Sequence, residues 1–298
     1  MRIGITGATG FVGRALSKTA AARGHDVIAF SRNKKANVSG AKEVRGIADG
    51  DENVPALDLS GLDGLVHLAG ENVFGLWTAE KKKRIRDSRV HLTRRIAADI
   101  IRSGGVPPVF VCGSGSGAYG DRGDEVLTEA STVGAGFLAE VCREWEAAAC
   151  EAEKAGTRVV MIRTGMVLGK DGGAWPLLKK VFAAFLGSPL GDGKQWVPWI
   201  HLEDEVGLIL HALENDGCRG PLNLGSPNPV TNEQMTREIA RQMGRPVMPK
   251  VPAFMLKLVM QDLSEVAMSS QRMTPELAIK TGYTFQFTDF AAAVESLR

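Results

Sequence analysis

The sequence predicts a doubly wound α/β fold, a parallel sheet with helices on both faces, and three observations lead there. Strand-like and helix-like segments alternate from the first residues onward, the pattern of strands joined by helical crossovers. The opening MRIGITGATGFVG runs a short β-compatible stretch straight into a glycine-rich turn that starts a helix. Beyond that turn, Val12, Leu16 and Ala20 recur at helical spacing until Gly24 stops the helix.

Each element has its own justification. Arg2 to Thr6 is the first strand and Phe11 to Arg23 the first helix. Asp26 to Ser31 is the second strand, a short third lies near Glu43 to Gly46, and Gly64 to Leu68 makes the fourth. Val109 to Cys112 and Arg158 to Ile162 supply two more. Between them, Ala79 to Arg102 and Phe137 to Lys154 show helical periodicity with polar faces and no internal proline. After Arg163 the texture changes: Gly165, Gly169, Gly172, Gly173, Gly187, Gly191 and Gly193 are interleaved with Trp175, Trp196 and Trp199. Two readings of that stretch stand side by side, loops closing over a ligand or a loop-rich packing lobe. Thr231 to Gln234 has the form of a capping box, so a helix runs from Asn232 to Met243 and ends at Gly244. The segment from Val251 to Arg298 reads as a small helical lobe.

A chain of 298 residues with 44% hydrophobic residues buries a full core. Its 36 basic against 34 acidic residues leave a formal charge of +2, which argues against nucleic acid or an acidic membrane surface as partner. A strand begins at once, with no basic leader before an apolar stretch, and no apolar run is long enough to span a bilayer, so a cytoplasmic location is expected. Cys112, Cys142, Cys150 and Cys218 form no C-x-x-C pair and the five histidines are scattered; reduced thiols and no metal site follow. The oligomeric state is not written in the sequence.

The glycine turn reads as a dinucleotide grip. Gly7, Gly10 and Gly13 are spaced for a tight turn, a close backbone approach to a pyrophosphate, and close packing of helix on strand. Thr9, Phe11 and Val12 complete the loop and the first helical turn, whose free N–H groups face phosphates. At the end of the second strand, where an NAD site carries an acidic residue for the ribose 2′-hydroxyl, the chain has Ser31-Arg32-Asn33-Lys34-Lys35. A guanidinium there suits a 2′-phosphate, so NADP(H) is expected in preference to NAD(H), with Arg32 as its reader.

Four stretches resemble the extended short-chain dehydrogenase/reductase family: Gly7 to Gly13, His67-Leu68-Ala69-Gly70, Ser114 to Gly120, and Pro198 to Asp204. More narrowly, Leu68 to Asn72, Trp145-Glu146, Gly187 to Gly191 and Ser270-Gln271-Arg272 resemble an atypical epimerase/dehydratase-like branch. Its C-terminal segment is a domain of unknown function, sometimes labelled a cell-division inhibitor. The resemblance implies a Rossmann-type domain over residues 1–164, rejoined by 200–228, and a substrate lobe from 165–199 and 229–298. It also implies that Leu68, Ala69, Gly70 and Arg89 lie beside the cofactor, with Arg89 where the wider family often has asparagine.

The departure from that family is the Tyr-x-x-x-Lys pair, which normally exchanges a proton at a carbinol. The only tyrosines are Tyr119 and Tyr283, and four residues past them stand Gly123 and Phe287. The helix expected to carry the pair reads Phe137-Leu138-Ala139-Glu140-Val141-Cys142 instead. The acid or base is therefore sought among Ser114, Ser116, Tyr119 and Glu71. Tyr119 is read either as the proton donor or as a tyrosine packed beside the cofactor. Glu71 is read as a base or orienting group, or as a helix cap. Trp199 and His201 line the substrate pocket on one reading and pack a core on the other; His201 and Asp204 also suit a strand-to-helix junction. The run Lys81-Lys82-Lys83-Arg84 attracts a phosphorylated substrate or is a solvated helix face. Two functions result: an NADP(H)-dependent oxidoreductase or epimerase-like enzyme on a small carbonyl or sugar-nucleotide substrate, or a catalytically silent NADP(H)-binding sensor or scaffold.

Overall fold

Seven strands form the central sheet of the computed structural model, which describes residues 1–47 and 56–298. They are β1 (Arg2–Thr6), β2 (Asp26–Ser31), β3 (Ala41–Gly46), β4 (Gly64–His67), β5 (Val109–Gly115), β6 (Arg158–Thr164) and β7 (Gly220–Leu224). All pairings are parallel, in the order β7-β6-β5-β4-β1-β2-β3. The chain starts in the middle and winds outward in both directions. The reversal falls between β1 and β4, so a crevice opens outside their carboxyl ends.

Helices cover both faces because the inner strands are apolar on both. They include α1 (Phe11–Ala22), α2 (Ala79–Arg102), α3 (Phe137–Cys150), α4 (Trp175–Ala183), α5 (Leu202–Glu214) and α6 (Asn232–Met243). Leu16 and Ala20 of α1 and Leu208 and Ala212 of α5 pack with Ile3, Ile5, Val66 and Val111 on one face. Ile96 and Ile100 of α2 and Trp145 and Ala149 of α3 pack with Phe30, Leu65 and Phe110 on the other. Each fully buried Leu, Ile or Phe contributes about 1.5–3 kcal/mol relative to exposure. The last carbonyls of α5 are capped by the buried Arg158, whose guanidinium donates to Ala212 O and Leu213 O at 2.7 and 2.8 Å. No helix among the described residues is long and apolar enough to cross a membrane.

The expected strands β5 and β6 run on, to Gly115 and Thr164. Helix α3 stops at Cys150 and continues only as a short 3₁₀ turn, Glu151–Ala155. Strand β7 carried no sequence signal because Gly220 and Pro221 open it; proline is tolerated there because β7 is an edge strand. The capping box of α6 is formed in both directions and Gly244 caps its end at φ 61°.

A second core gathers Leu168, Trp175, Phe182, Trp199, Ile239, Phe290 and Val294. Trp199 is fully buried, donates Nε1–H to Asn228 O at 2.9 Å and meets Phe290 edge-on. Trp175 is likewise buried and donates to Leu297 O at 3.2 Å. Both tryptophans pack into this second core. Gly172 and Gly173 make room for the Phe11 ring: a Cβ on Gly172 would lie 2.2 Å from Phe11 Cδ2.

The start of α5 fastens the C-terminal segment. Asp204 is fully buried; its Oδ1 accepts from the Gln286 N–H at 2.8 Å and the Tyr283 hydroxyl at 3.1 Å, and its Oδ2 from the Phe287 N–H at 2.8 Å. His201 caps α5 by accepting the Glu203 N–H at Nδ1, and its ring lies 3.9 Å from that of Phe287. Burial lowers its pKa. His201 is thus a buried residue at the strand-to-helix junction.

Candidate functional site

The turn after β1 is built around its glycines. Gly7 has φ +71°, and the Gly10 N–H closes the turn on Gly7 O at 2.9 Å. A Cβ on Gly13 would stand 2.2 Å from Gly7 O, so only glycine lets α1 approach β1 this closely. Gly10 is the N-cap of α1, and no side chain among the described residues caps the helix. Its first-turn N–H groups are left to a ligand, with the positive end of the helix dipole behind them.

These groups open onto a cleft of about 270 Å³. Gly7, Gly10, Phe11, Val12 and Gly13 line one side, Leu68, Gly113, Ser114 and Trp145 another, and Ile162, Thr164 and Glu205 complete it. The cleft therefore sits at the carboxyl ends of β1, β4, β5 and β6, at the switch point. Thr9 is exposed at the tip of the turn, its carbonyl accepting from Arg14 at 3.0 Å. Ser31 ends β2, the strand beside β1, and takes the Asn33 N–H on Oγ at 3.1 Å; Arg32 follows, exposed.

Behind β1 and β4, Thr6 Oγ1 and His67 Nδ1 share a proton at 2.6 Å. Burial, reinforced by the Arg89 charge, pushes the His67 pKa down to about 3, so the imidazole is neutral. The Ala69 N–H reaches Thr6 Oγ1 at 3.4 Å. Arg89 turns inward from α2, donates to Glu71 O at 3.0 Å, stands against Gly70 and lies over the Trp145 ring. Its pKa is lowered by burial.

Ser114 leads into a buried network. Its hydroxyl donates to Glu146 Oε1 at 2.7 Å, and Arg163 grips the same carboxylate with Nε and Nη2, both at 2.8 Å. Arg163 Nη1 also donates to the Tyr119 oxygen at 3.1 Å. The Tyr119 hydroxyl has Asn223 Oδ1 at 2.6 Å and Thr128 O at 3.0 Å as acceptors, and burial raises its pKa. Tyr119 is fully buried and lines no part of the cleft. That gives it a place in the core, not the position of an exposed proton donor. Ser116 is half-buried at the start of the turn Ser116–Tyr119, also away from the lining.

Glu71 is drawn the other way. Its carboxylate pairs with Lys81 at 2.7 Å and Arg84 at 3.7 Å, and the hydrogen bond from Lys81 holds its pKa below the usual range. A carboxylate so neutralised is a poor base, and it caps no helix; it staples the loop after β4 to α2. Lys82 pairs with Asp262, Lys83 with Asp87 and Arg86 with Glu144, so the basic run is largely spent on internal ion pairs. Cys142 Sγ lies 3.9 Å from Gly115 O, and burial pushes its thiol up to about 11, which leaves it unreactive. No group of metal-ligating side chains occurs among the described residues.

Several site residues escaped the sequence reading: Trp145, Thr164 and Glu205 in the lining, and Glu146, Arg163 and Asn223 behind it. Arg163 had a signal, a cation directly after the apolar run VVMI of a buried strand, which requires a buried partner. Glu205 was hidden in Glu203-Asp204-Glu205, which reads as ordinary acid at a helix start.

The model of the NAD-dependent epimerase/dehydratase family matches residues 3–225, and that of a domain of unknown function matches residues 251–297. The chloroplastic SDR39U1 homolog of Arabidopsis thaliana, an epimerase family protein, is 37% identical over 96% of this chain and 84% of its own. The epimerase family protein YfhF of Bacillus subtilis is 34% identical over 100% and 98%. The crystal structure of human SDR39U1 with NADPH superposes with a TM-score of 0.89 at 30% identity, covering 100% of this chain and 99% of that one. With that fold, this switch-point cleft and these matches, the chain belongs to the NAD-dependent epimerase/dehydratase family, within the extended short-chain dehydrogenases/reductases.

Proposed function

We propose that the cleft binds NADP(H), and that the protein is an NADP(H)-dependent oxidoreductase or epimerase-like enzyme acting on a small carbonyl or sugar-nucleotide substrate. The observation that carries this reading is the uncapped N-terminus of α1 above the Gly7–Gly13 turn, whose phosphate-facing N–H groups have no partner among the described residues. Gly10, Phe11, Val12 and Gly13 would hold the pyrophosphate, and Arg32 the 2′-phosphate. The NADPH in the human relative's structure supports the choice. A bound nicotinamide supplies a hydride donor or acceptor.

The chain's own residues would then orient and exclude. Ser114 is the one expected catalytic residue in the cleft lining. Its proton points to Glu146, so its lone pairs are left to accept from a substrate hydroxyl, and Arg163 keeps Glu146 in place. On the resemblance, the helix from Phe137 to Cys142 carries apolar residues or Cys142 where the family's Tyr-x-x-x-Lys pair is expected, so this reading proceeds without the usual relay.

Arg32→Ala is expected to weaken NADPH at least tenfold and NADH less than twofold, measured by titrating nicotinamide fluorescence; equal weakening of both would mean that Arg32 does not read the 2′-phosphate. A second reading, a silent NADP(H)-binding sensor, is favoured by the commitment of Tyr119 to the core. NADPH deuterated on either C4 face, incubated with the protein in a metabolite extract, separates the two. Label appearing in a metabolite establishes an oxidoreductase, whereas label retained on the cofactor leaves a sensor or an epimerase that returns its hydride.

A further inference from the structure

Glu205 sits in the first turn of α5 and shares the cleft with Gly10, Phe11 and Gly13. It is 1% exposed. Its Oε1 accepts the Thr164 hydroxyl at 2.9 Å, while Oε2 is buried and has no hydrogen-bond partner among the described residues. A carboxylate in that state is doubly penalised, by burial of its charge and by an unused acceptor.

The charged and titratable groups of the surrounding elements are engaged elsewhere. On α5, Asp204 faces the tail and binds two N–H groups and the Tyr283 hydroxyl. On β6 and α3, Arg163 and Glu146 hold each other, and on β4 His67 holds Thr6. The Gly7–Gly13 turn carries no charged or titratable side chain. No ion pair involves Glu205 among the described residues. A pyrophosphate brought against the same cleft carries only acceptors. An acceptor-only carboxylate repels it, whereas a carboxylic acid has the one thing the pair lacks, an O–H donor.

We propose that Glu205 is a neutral carboxylic acid that donates from Oε2 to a phosphate oxygen of the bound dinucleotide, which makes cofactor affinity pH-dependent. The inference rests on the cofactor reading above. Burial already pushes the carboxyl up to about 8 in the ligand-free protein, and the Thr164 hydroxyl only partly opposes it. The acid is therefore protonated at pH 7, and affinity falls as pH rises through that value. By linkage, cofactor binding at pH 8.5 takes up a proton.

The test is NADPH binding by nicotinamide fluorescence, with the full chain, from pH 7 to 9.5. The wild type is expected to lose about tenfold in affinity between pH 7 and 9, and Glu205→Gln, which keeps shape and a donor but cannot ionise, to stay within twofold. Calorimetry at pH 8.5 in buffers of different ionisation enthalpy is expected to show uptake of most of one proton by the wild type and none by the variant. Tight binding that changes with pH identically in both proteins, or with no proton uptake, overturns the role of Glu205 and leaves the cofactor site standing. A folded wild type that binds NADPH at no pH overturns the cofactor site itself. Should Glu205→Gln fail to fold, the proton count on the wild type alone decides.

Discussion

Glu146→Ala is expected to cost about 3–5 kcal/mol of folding stability, the loss seen when one partner of a buried ion pair is removed. The side chains of Arg163 and Glu146 are only 4% and 10% exposed. Although burial alone pulls the Arg163 pKa down, the hydrogen bonds and charge of Glu146 hold it above its ordinary value. Without that carboxylate the guanidinium keeps only the Tyr119 oxygen, and Ser114 loses its acceptor. Urea unfolding measures the loss. The double variant Glu146→Leu, Arg163→Met is expected to recover much of it, because it removes both charges together. A single-variant loss below about 1 kcal/mol would mean that water reaches the pair.

Gly10→Val is expected to lower affinity for NADPH and NADH alike by more than a hundredfold while the protein stays folded. Gly10 has φ −76°, open to any residue, and a Cβ there meets only Gly7 O at 3.1 Å. The valine methyls would stand over the N–H groups that the uncapped helix presents. Fluorescence titration of both cofactors, with circular dichroism to confirm the fold, decides it; a folded variant that binds normally would remove the phosphate-loop assignment. Gly13 is unsuited to the same experiment, since its Cβ would collide with Gly7 O and break the turn itself.

What was legible in the chain was local. Helix α2 spans Ala79–Arg102 as its periodicity required, and the capping box at Thr231 forms because its two partners are three residues apart. The glycine turn could be read because the positive φ of Gly7 and the contact of Gly13 with Gly7 O and Ala8 both arise within seven residues. The rest depended on partners far away in sequence. Tyr119 is held by Asn223, 104 residues on, and Glu146 of α3 by Arg163 of β6. No spacing rule links such residues. Trp199 and His201 were ambiguous for the same reason, since an aromatic among glycines fits pocket or core until Phe290 and Phe287 are seen to cover them.

The clamp on Asp204 also sets an order of events in time. Its three partners lie 79 to 83 residues downstream, so at roughly 5–20 residues per second the ribosome needs about 4–16 seconds to supply them after Asp204 is made. During that interval the sheet strands through β6 already exist, but the first turn of α5 cannot be buried without stranding a bare carboxylate. The first turn of α5 is expected to seat fully only when residues 283–287 are available to it. The nascent cofactor cleft, which shares that helix turn through Glu205, is therefore among the last parts of the molecule to be completed.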